Sequence, residues 1–243
     1  MLFKYLRAAV QIFIIFSLLG LSTVFIVPLV ILSLGTLRNL IIQYYGLFIG
    51  RVILRTLNVP LHVNYVGTPL SQPAVYIANH SSTLDMFVII ALGLKKIRYV
   101  AKYEILYNPF FAFLGLVTGQ IFIKRQDTQK AIASLNRSLA FLKRKNLSLF
   151  VSPEGTRKHT EPVAPFKKGA FRMAMQLKYP IVPVFIEGAR QSCSGDSLIV
   201  DPGKITAYIH DPIDTEMWTL ENLDEHISAI RQQYIQWEHN SLK

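Results

Sequence analysis

A histidine and an aspartate five positions apart are the residues of this sequence best suited to proton transfer. His80 and Asp85 lie in the segment Asn79–Asp85, which follows a strand-like run and precedes a helical one. Within one helix, this separation would turn the two side chains roughly 140° apart. They can meet only if His80 lies in the turn before the helix and Asp85 in its first turn. A carboxylate on one imidazole nitrogen then leaves the other nitrogen basic, which suits it to take a proton from a hydroxyl.

The same residues also have a structural explanation. Ser81 or Ser82 is a suitable N-cap for the helix, and Asp85 would complement the helix dipole in a pair resembling a capping box. An acyl-serine intermediate is a further alternative for these serines, although capping is the role that we favour. The motif alone does not decide between proton transfer, helix capping and an acyl-serine intermediate.

Three further segments bring charged or restricted residues to the ends of strand-like runs. They are Gly119–Arg125 (GQIFIKR), Phe150–Arg157 (FVSPEGTR) and Ile181–Val184 (IVPV). In the second, glycine permits a tight turn and Arg157 can place two donors on phosphate oxygens. Their ordinary explanations are a strand that meets solvent, a surface turn with a solvated arginine, and a buried strand. Pro183 predicts an edge strand or a bulge, since proline has no N–H for the ladder.

These segments need a scaffold, and the chain after residue 60 alternates strand-like and helical runs. We predict strands at 61–66, 74–79, 97–101, 120–124, 147–151, 181–187 and 205–210. We predict helices at about 83–93, 128–144, 167–178 and 221–237. Strands separated by helices indicate an α/β domain with a mixed, mostly parallel sheet flanked by helices.

A long apolar segment lies near the start of the chain. From Ala8 to Leu37 there are 30 residues without an ionisable side chain, more than the roughly 20 of one straight span or the roughly 7–15 of a signal-peptide core. Basic residues flank it on both sides, which favours a re-entrant segment over a single transmembrane helix. Residues 39–57 have an amphipathic pattern suited to the interface. We predict a membrane-anchoring helical motif over 1–58 and an α/β catalytic domain over 59–243.

The positive charge is concentrated in the middle of the chain. The 243 residues carry 26 Lys and Arg against 15 Asp and Glu, and 18 of these bases with only five of the acids lie in residues 86–190. A section this basic suits a phosphorylated small molecule, an anionic bilayer or nucleic acid; a solvated surface would have the same composition. The single cysteine, Cys193, excludes an intrachain disulfide and a zinc site built on several cysteines, and it fits a cytosol-facing compartment.

Several common functional motifs are missing from the sequence. There is no GxxxxGK[ST] or GxGxxG motif for nucleotides and no GxSxG motif for a serine hydrolase. The six histidines have no spacing such as HExxH that would hold a metal. No helix-turn-helix, zinc-finger or RNA-binding signature accompanies the positive charge. We therefore expect no metal, no cofactor and no nucleic-acid partner.

Together the four segments resemble the four blocks of the glycerolipid acyltransferase superfamily, particularly the bacterial 1-acylglycerol-3-phosphate acyltransferases of the PlsC type. NHSSTLD, GQIFIKR, FVSPEGTR and IVPV occur in the same order and at the same spacing. The resemblance covers roughly residues 60–220, and its specificity rests on the first and third blocks together. It implies an enzyme of phospholipid biosynthesis that transfers a fatty acyl group to the sn-2 hydroxyl of lysophosphatidic acid, giving phosphatidic acid. The implied donor is an acyl thioester of coenzyme A or acyl carrier protein.

The resemblance also implies a role for each block. In the family the histidine of the first block is the general base and the aspartate orients it, which assigns these roles to His80 and Asp85. The second and third blocks hold the glycerol phosphate of the acceptor. Pro183 of the fourth block is associated with the acyl substrate, and Lys102 is a further candidate partner of phosphate or oxyanion. The acceptor-binding residues implied in this way are Lys124, Arg125, Glu154, Gly155, Thr156 and Arg157.

Two alternatives accompany this function. One is an acyltransferase of the same superfamily with another lysolipid as acceptor. The other is a non-catalytic, membrane-tethered binder of anionic lipid. For the preferred function we expect a membrane protein whose site faces the cytoplasm, at the inner membrane if the source is bacterial.

Overall fold

The computed structural model describes residues 2–241, apart from 69, 71, 125–127, 158–160 and 196. Over these residues the backbone forms a seven-stranded sheet with helices on both faces. The strands are β1 (Leu61–Tyr65), β2 (Val75–Ala78), β3 (Ile97–Lys102), β4 (Ile121–Ile123), β5 (Ser148–Val151), β6 (Ile181–Glu187) and β7 (Ile205–Ile209). The α-helices are α1 (Leu2–Leu32), α2 (Arg38–Leu40), α3 (Gly46–Thr56), α4 (Asp85–Ala91), α5 (Pro109–Thr118), α6 (Thr128–Arg144), α7 (Lys168–Leu177), α8 (Ala189–Ser192) and α9 (Leu223–Ser241). A π-helix, Ile41–Tyr45, joins α2 to α3, and a 3-10 helix, Tyr103–Tyr107, precedes α5.

The topology of the sheet brings the carboxyl ends of its central strands to one edge. The strand order is β1-β7-β6-β2-β5-β3-β4. Every neighbouring pair is parallel except β6 and β7, which are antiparallel. Strands β2 to β6 therefore point the same way, and open α/β sheets bind ligands beyond the carboxyl ends of such strands. The predicted α/β fold with a mixed, mostly parallel sheet and its seven predicted strands is confirmed.

Two apolar layers cover the faces of the sheet. On one face the core includes Leu19 of α1, Ile53 of α3 and Val88 of α4. On the other face it includes Phe171 of α7 and Tyr234 of α9. Because helices from both ends of the chain contribute, removal of apolar surface from water holds the N-terminal helices and the sheet together.

Helix α1 is held to the α/β part of the chain near its N-terminus. It has 31 residues, and Phe3–Leu32 is long and apolar enough to cross a bilayer. Lys4 and Arg7 each form an ion pair of 3.3 Å with Asp201. Arg7 also donates to the backbone oxygen of Val200 at 2.8 Å. The first turns of the helix thus lie against the loop between α8 and β7.

The other end of α1 also packs against the domain. Val30 lies in a small apolar cluster with Ile41, and Leu114 of α5 packs against this cluster. Between the two ends, Phe13 and Phe25 are exposed on the outer face of the helix. The helix therefore lies along the domain over its length and turns an apolar face outward.

Pro183 lies in the interior of the sheet, whereas the sequence predicts an edge strand or a bulge at this position. Strand β6 pairs with β2 on one side and with β7 on the other, so the edge position was wrong. Val184 of β6 pairs with Ile209, and Ile181 of β6 pairs with Ile213. Between these two pairs the facing segment has one residue more than β6. This extra residue is a bulge beside Pro183, which relieves the ladder of a missing N–H donor. The predicted bulge is confirmed.

Candidate active site

The candidate site begins where β2 ends, at the edge formed by the carboxyl ends of the parallel strands. The side-chain amide of Asn79 fixes this end of the strand. Its Nδ2 donates to the backbone oxygen of Ile186 at 2.8 Å, and its Oδ1 accepts from the Ile186 N–H at 2.8 Å. These two bonds satisfy buried backbone groups of β6 and tie them to β2. The chain then leaves the sheet in a fixed direction and turns at His80.

His80 and Asp85 are in direct contact. Nδ1 of His80 and Oδ2 of Asp85 are 2.8 Å apart. Helix α4 begins at Asp85, so the histidine lies in the turn before the helix and the aspartate in its first turn, as the spacing predicts. The Asp85 side chain is 1% exposed and the His80 side chain 25%. Because the carboxylate accepts from Nδ1, the imidazole is held in the tautomer whose Nε2 accepts a proton.

Asp85 also stabilises the turn that carries the histidine. The same Oδ2 accepts hydrogen bonds from the N–H groups of Ser81 at 2.8 Å and Ser82 at 2.9 Å. A carboxylate in the first turn also interacts favourably with the helix dipole. Orientation of the imidazole and capping of the turn are two effects of one oxygen atom, so the two explanations of the motif are compatible.

The serines of the motif have structural contacts, although neither is the N-cap. Leu84 takes that position, so the predicted serine cap was wrong. Ser82 Oγ instead accepts from the Leu84 N–H at 3.0 Å and donates to the backbone oxygen of Cys193 at 2.5 Å. Ser82 and Ser81 are both buried. A hydroxyl held between a carbonyl and an amide favours a structural role over an acyl-serine intermediate.

Glu154 joins the turn after β5 to the turn that carries His80. Its Oε1 accepts from the backbone N–H of His80 at 2.6 Å, and its Oε2 accepts from the N–H of Ala164 at 2.8 Å. Glu154 is 1% exposed. Hydrogen bonds to a buried carboxylate are strong, so Glu154 fixes the backbone at His80. The contact spans 74 positions, and no local pattern in the sequence identifies such a partner.

Arg157 approaches the same turn through the loop that follows α8. Its Nε donates to the backbone oxygen of Gly195 at 2.9 Å. The next residues of this loop contact the motif, because Thr83 Oγ1 donates to the Ser197 oxygen at 2.9 Å. Among the described residues no carboxylate forms an ion pair with Arg157. The terminal nitrogens of its guanidinium can therefore serve an anionic ligand.

Lys102 and Lys124 extend the site along the edge of the sheet. Lys102 is the last residue of β3, and Lys124 directly follows β4. The strand order places the His80 turn, the 152–157 turn, Lys102 and Lys124 one after another along the edge. Arg125 lies outside the described residues. The lysines share the edge with the histidine but follow strands farther from it.

The remaining predicted residues shape the backbone. Gly155 has a φ of 67°, a left-handed conformation that favours glycine, and it turns the chain between Glu154 and Arg157. Thr156 lies in the same turn. Pro183 is buried in β6 opposite Ile77 of β2, so it lies within the sheet and not in the cluster at its edge.

The site combines a histidine, two buried carboxylates and an arginine. Within the part of the chain that the structure describes, no three His, Cys, Asp or Glu side chains are grouped to hold a metal ion. Cys193 lies behind the turn, and burial raises the pKa of its thiol, with Arg157 opposing and Asp85 adding to the shift. This thiol is therefore neutral at physiological pH.

Comparison with protein families shows the family to which this chain belongs. A sequence profile described as Acyltransferase matches residues 59–187, more than half of the chain. The chain belongs to the acyltransferase family. All four segments singled out in the sequence lie within the matched range, and so do both partners of the His80–Asp85 contact.

Named acyltransferases are similar to this chain over much of its length. A 1-acyl-sn-glycerol-3-phosphate acyltransferase of Cocos nucifera is 35% identical over 192 residues, 79% of this chain and 62% of that protein. The protein of the same name from Limnanthes douglasii is 29% identical and covers 96% of this chain, which spans 83% of it. That of Haemophilus influenzae is 34% identical over 150 residues, 62% of each chain. The chain thus spans about three fifths of the length of the first and third relatives.

A solved acyltransferase structure has the same fold. The crystal structure of the 1-acyl-sn-glycerophosphate (LPA) acyltransferase PlsC from Thermotoga maritima superimposes with a TM-score of 0.76 at 20% sequence identity. The match covers 96% of both chains. Coverage this complete requires that the N-terminal helices belong to the shared fold together with the sheet.

Proposed function

We propose that this acyltransferase transfers a fatty acyl group from an acyl thioester to the sn-2 hydroxyl of 1-acylglycerol 3-phosphate, giving phosphatidic acid. The observation that carries the proposal is the contact between His80 and Asp85 beside Arg157. A base and a cation at one sheet edge can deprotonate a hydroxyl while they hold the phosphate of the same molecule. The names of the plant, yeast and bacterial relatives point to this acceptor.

In the proposed reaction His80 acts as general base. Its Nε2 takes the proton of the acceptor hydroxyl, and the oxygen attacks the carbonyl carbon of the thioester. The new C–O bond forms, the C–S bond breaks, and the imidazolium returns its proton to the leaving thiolate. Asp85 stabilises the imidazolium between these steps. A general base of this kind contributes about 10²–10⁴-fold to the rate.

We assign the acceptor phosphate to Arg157 and its neighbours. A charge-assisted hydrogen bond from guanidinium to phosphate stabilises binding by about 1.5–3 kcal/mol. Lys102 and Lys124 lie farther along the same edge, where they add positive potential, and Arg125 is assigned with them from the motif alone. Gly155 and Thr156 shape the turn that presents Arg157.

The contacts of Glu154 support a positioning role rather than a direct one. Both of its oxygens accept backbone N–H groups, and one of these belongs to His80. We propose that Glu154 holds the base in register with the acceptor, whose phosphate lies on the neighbouring Arg157.

The acyl donor is proposed to be a thioester of acyl carrier protein or coenzyme A. Residues 86–190, with their large excess of bases, would attract either the acidic carrier protein or the phosphates of coenzyme A. Pro183, buried in β6, would act on the acyl side of the site only through the shape of the strand.

We propose that residues 1–58 anchor the enzyme in one leaflet, beside lipid reactants. Support comes from α1, whose two ends are both held to the domain and whose outer face is apolar. A helix fixed in this way lies along the bilayer surface with its domain instead of crossing the membrane alone. The 59–243 part would then face the cytoplasm, where acyl thioesters are made.

The proposal is tested by acylation with purified enzyme in mixed micelles. Labelled acyl-coenzyme A and acyl carrier protein are each supplied with lysophosphatidic acid, with lysophosphatidylcholine or with a monoacylglycerol. We expect transfer to lysophosphatidic acid and at least a hundredfold slower turnover in His80→Ala. His62→Ala is the matched control, because His62 is an exposed histidine on β1.

The outcomes separate the alternatives. Unchanged turnover in His80→Ala would refute the assignment of the base. Preference for another lysolipid would favour a different acceptor within the same family, and equal rates with monoacylglycerol would remove the role of Arg157. No transfer with any acceptor would favour the non-catalytic binder.

A further inference from the structure

A second group of basic residues lies at the edge of the sheet opposite His80. Arg98 is the second residue of β3 and lies near its amino end, whereas His80 follows the carboxyl end of β2. Arg98 is 4% exposed. Its Nη1 donates to the backbone oxygen of Ile97 at 2.7 Å, and its Nε is buried without a partner. A guanidinium held out of water with an unused donor is a costly arrangement that an anion would relieve.

Arg38 brings another guanidinium to this group. It is the first residue of α2, and its Nε is likewise buried without a partner. Burial, and then the positive charge of Arg38, lower the pKa of Arg98 to about 10, so Arg98 stays charged at neutral pH. No carboxylate of the described residues pairs with either arginine. Leu37, next to Arg38, and Val117, near the end of α5, pack against the same apolar cluster, which brings the start of α2 close to the end of α5.

A cavity lies close to Arg98. It has a volume of about 290 Å³ and lies between the start of β4 and helix α6, where Gly119, Gln120, Ser134 and Arg137 line it. Nε of Arg98 is 3.6 Å from the position that a Cβ atom on Gly119 would occupy. Because Gly119 has no side chain, no side chain of this lining residue stands between the Arg98 guanidinium and the cavity. Arg137, one of the lining residues, supplies a third positive charge.

We propose that Arg38, Arg98 and Arg137 bind the phosphate of an anionic phospholipid headgroup. A membrane lipid is the fitting source because exposed apolar side chains flank the group. Leu34 lies in the turn just before Arg38, and Leu116 lies in the last turn of α5 just before Gly119. Acyl chains would lie on these leucines while the phosphate enters the cavity. This site is independent of the reaction proposed above, since it lies at the other edge of the sheet.

The test is the thermal unfolding midpoint of the full chain in detergent, with and without dihexanoyl phosphatidylglycerol. The lipid should raise the midpoint of the wild type by several degrees, because a ligand that binds only the folded state stabilises it. Arg98→Met should lose this rise. Without lipid this variant should unfold at the same or a higher temperature, because a buried unpaired charge has been replaced by an apolar chain. Arg172→Gln, an exposed arginine on α7, is the matched control and should respond like the wild type.

Further ligands and variants make the result decisive. Dihexanoyl phosphatidylcholine should leave the wild-type midpoint unchanged. An equal rise of the midpoint in Arg98→Met and in the wild type would refute the proposed site. A full rise with inorganic phosphate alone would show that the ligand is a soluble phosphate and would refute the lipid as ligand. If Arg98→Met does not fold, Arg38→Gln combined with Arg137→Gln carries the same test.

Discussion

A single oxygen atom of Asp85 accepts three hydrogen bonds, from the imidazole of His80 and from two backbone N–H groups. Its other oxygen is buried and has no partner. The direction of the imidazole and the shape of the turn therefore depend on the same atom. Any substitution of Asp85 changes both, which makes Glu154 the better residue for separating position from chemistry.

Glu154→Gln should lower kcat at least tenfold and leave the KM for lysophosphatidic acid nearly unchanged. A glutamine can accept from only one of the two N–H groups, so it would turn its own NH₂ group toward His80 or Ala164. The buried mismatch should also lower the free energy of unfolding by about 1–3 kcal/mol. Steady-state kinetics and thermal unfolding measure the two effects.

Glu161→Gln is the control, because Glu161 pairs with Arg231 at 2.8 Å on the surface and loss of an exposed pair has little effect. A raised KM with unchanged kcat in Glu154→Gln would assign Glu154 to the acceptor instead, as the family resemblance implies.

A pH effect on stability is expected from His210. Its ring stacks on Trp237 with 3.7 Å between ring centroids, and its Nε2 is buried without a partner. Burial lowers the pKa of His210 below the ordinary 6.5, against the opposing charge of Asp211. The unfolded chain therefore binds the proton first, so stability falls as the pH drops below about 6.5 toward the folded pKa.

His210→Phe keeps the stacked ring and removes the titration. Unfolding midpoints measured at pH 7.5 and 5.5 should differ less in this variant than in the wild type. Equal differences would show that His210 does not titrate in this range.

The sequence predicts contacts between residues near in the chain better than contacts between distant ones. The His80–Asp85 contact follows from the spacing, because only one placement at a strand–helix junction lets the side chains meet. The bonds of Glu154 and Arg157 join separate loops, whose approach depends on the order of strands in the sheet. The unpartnered Nε of Arg98 is likewise invisible in a sequence that shows only one more basic residue.

Among the elements, α1 is the one that we propose as the membrane anchor. Its 22 steps from Phe3 to Phe25 span about 33 Å at the helical rise. A crossing helix would place these two exposed side chains in opposite leaflets, whereas a helix along the surface holds them at similar depths.

Spin labels at Phe3→Cys, Phe13→Cys and Phe25→Cys should report similar depths in liposomes. Cys193 is buried, and Cys193→Ala gives the background that isolates the introduced labels. A depth that runs from one headgroup region through the centre to the other would contradict the surface arrangement.

Helix α5 shows where periodicity fails as a guide. Its sequence, PFFAFLGLVT, is apolar all round, so it has no polar face from which a helical period can be read. The boundary signals were present, because Asn108 caps the N-terminus through Oδ1 and Gly119 ends the helix in a left-handed conformation. The amphipathic helices α6 and α7 were predicted within one residue of their observed bounds.

At the scale of the whole molecule, an excess of positive charge is combined with an apolar outer face. The apolar face contributes to binding of any bilayer, whereas the positive charge contributes only to binding of an anionic bilayer, and salt screens this contribution. The two contributions can therefore be separated by composition and ionic strength.

Binding to vesicles with 30% phosphatidylglycerol should weaken severalfold between 0.1 and 0.5 M salt, as the screening length falls from about 10 to about 4 Å. Binding to pure phosphatidylcholine vesicles should stay constant or strengthen. Co-sedimentation measures both, and an equal salt response on the two compositions would contradict an electrostatic share in binding.

The arrangement of the site along one edge of parallel strands separates its tasks by strand. The His80–Asp85 pair follows β2, Arg157 follows β5, Lys102 ends β3 and Lys124 follows β4. Each of these residues can thus be substituted at the end of its strand without a change in the sheet. Under the proposed function, substitutions at the ends of β3 and β4 would change the preference for the head group and leave the ester-forming residues after β2 unchanged, so the scaffold is well suited to diversify into enzymes for different lipids.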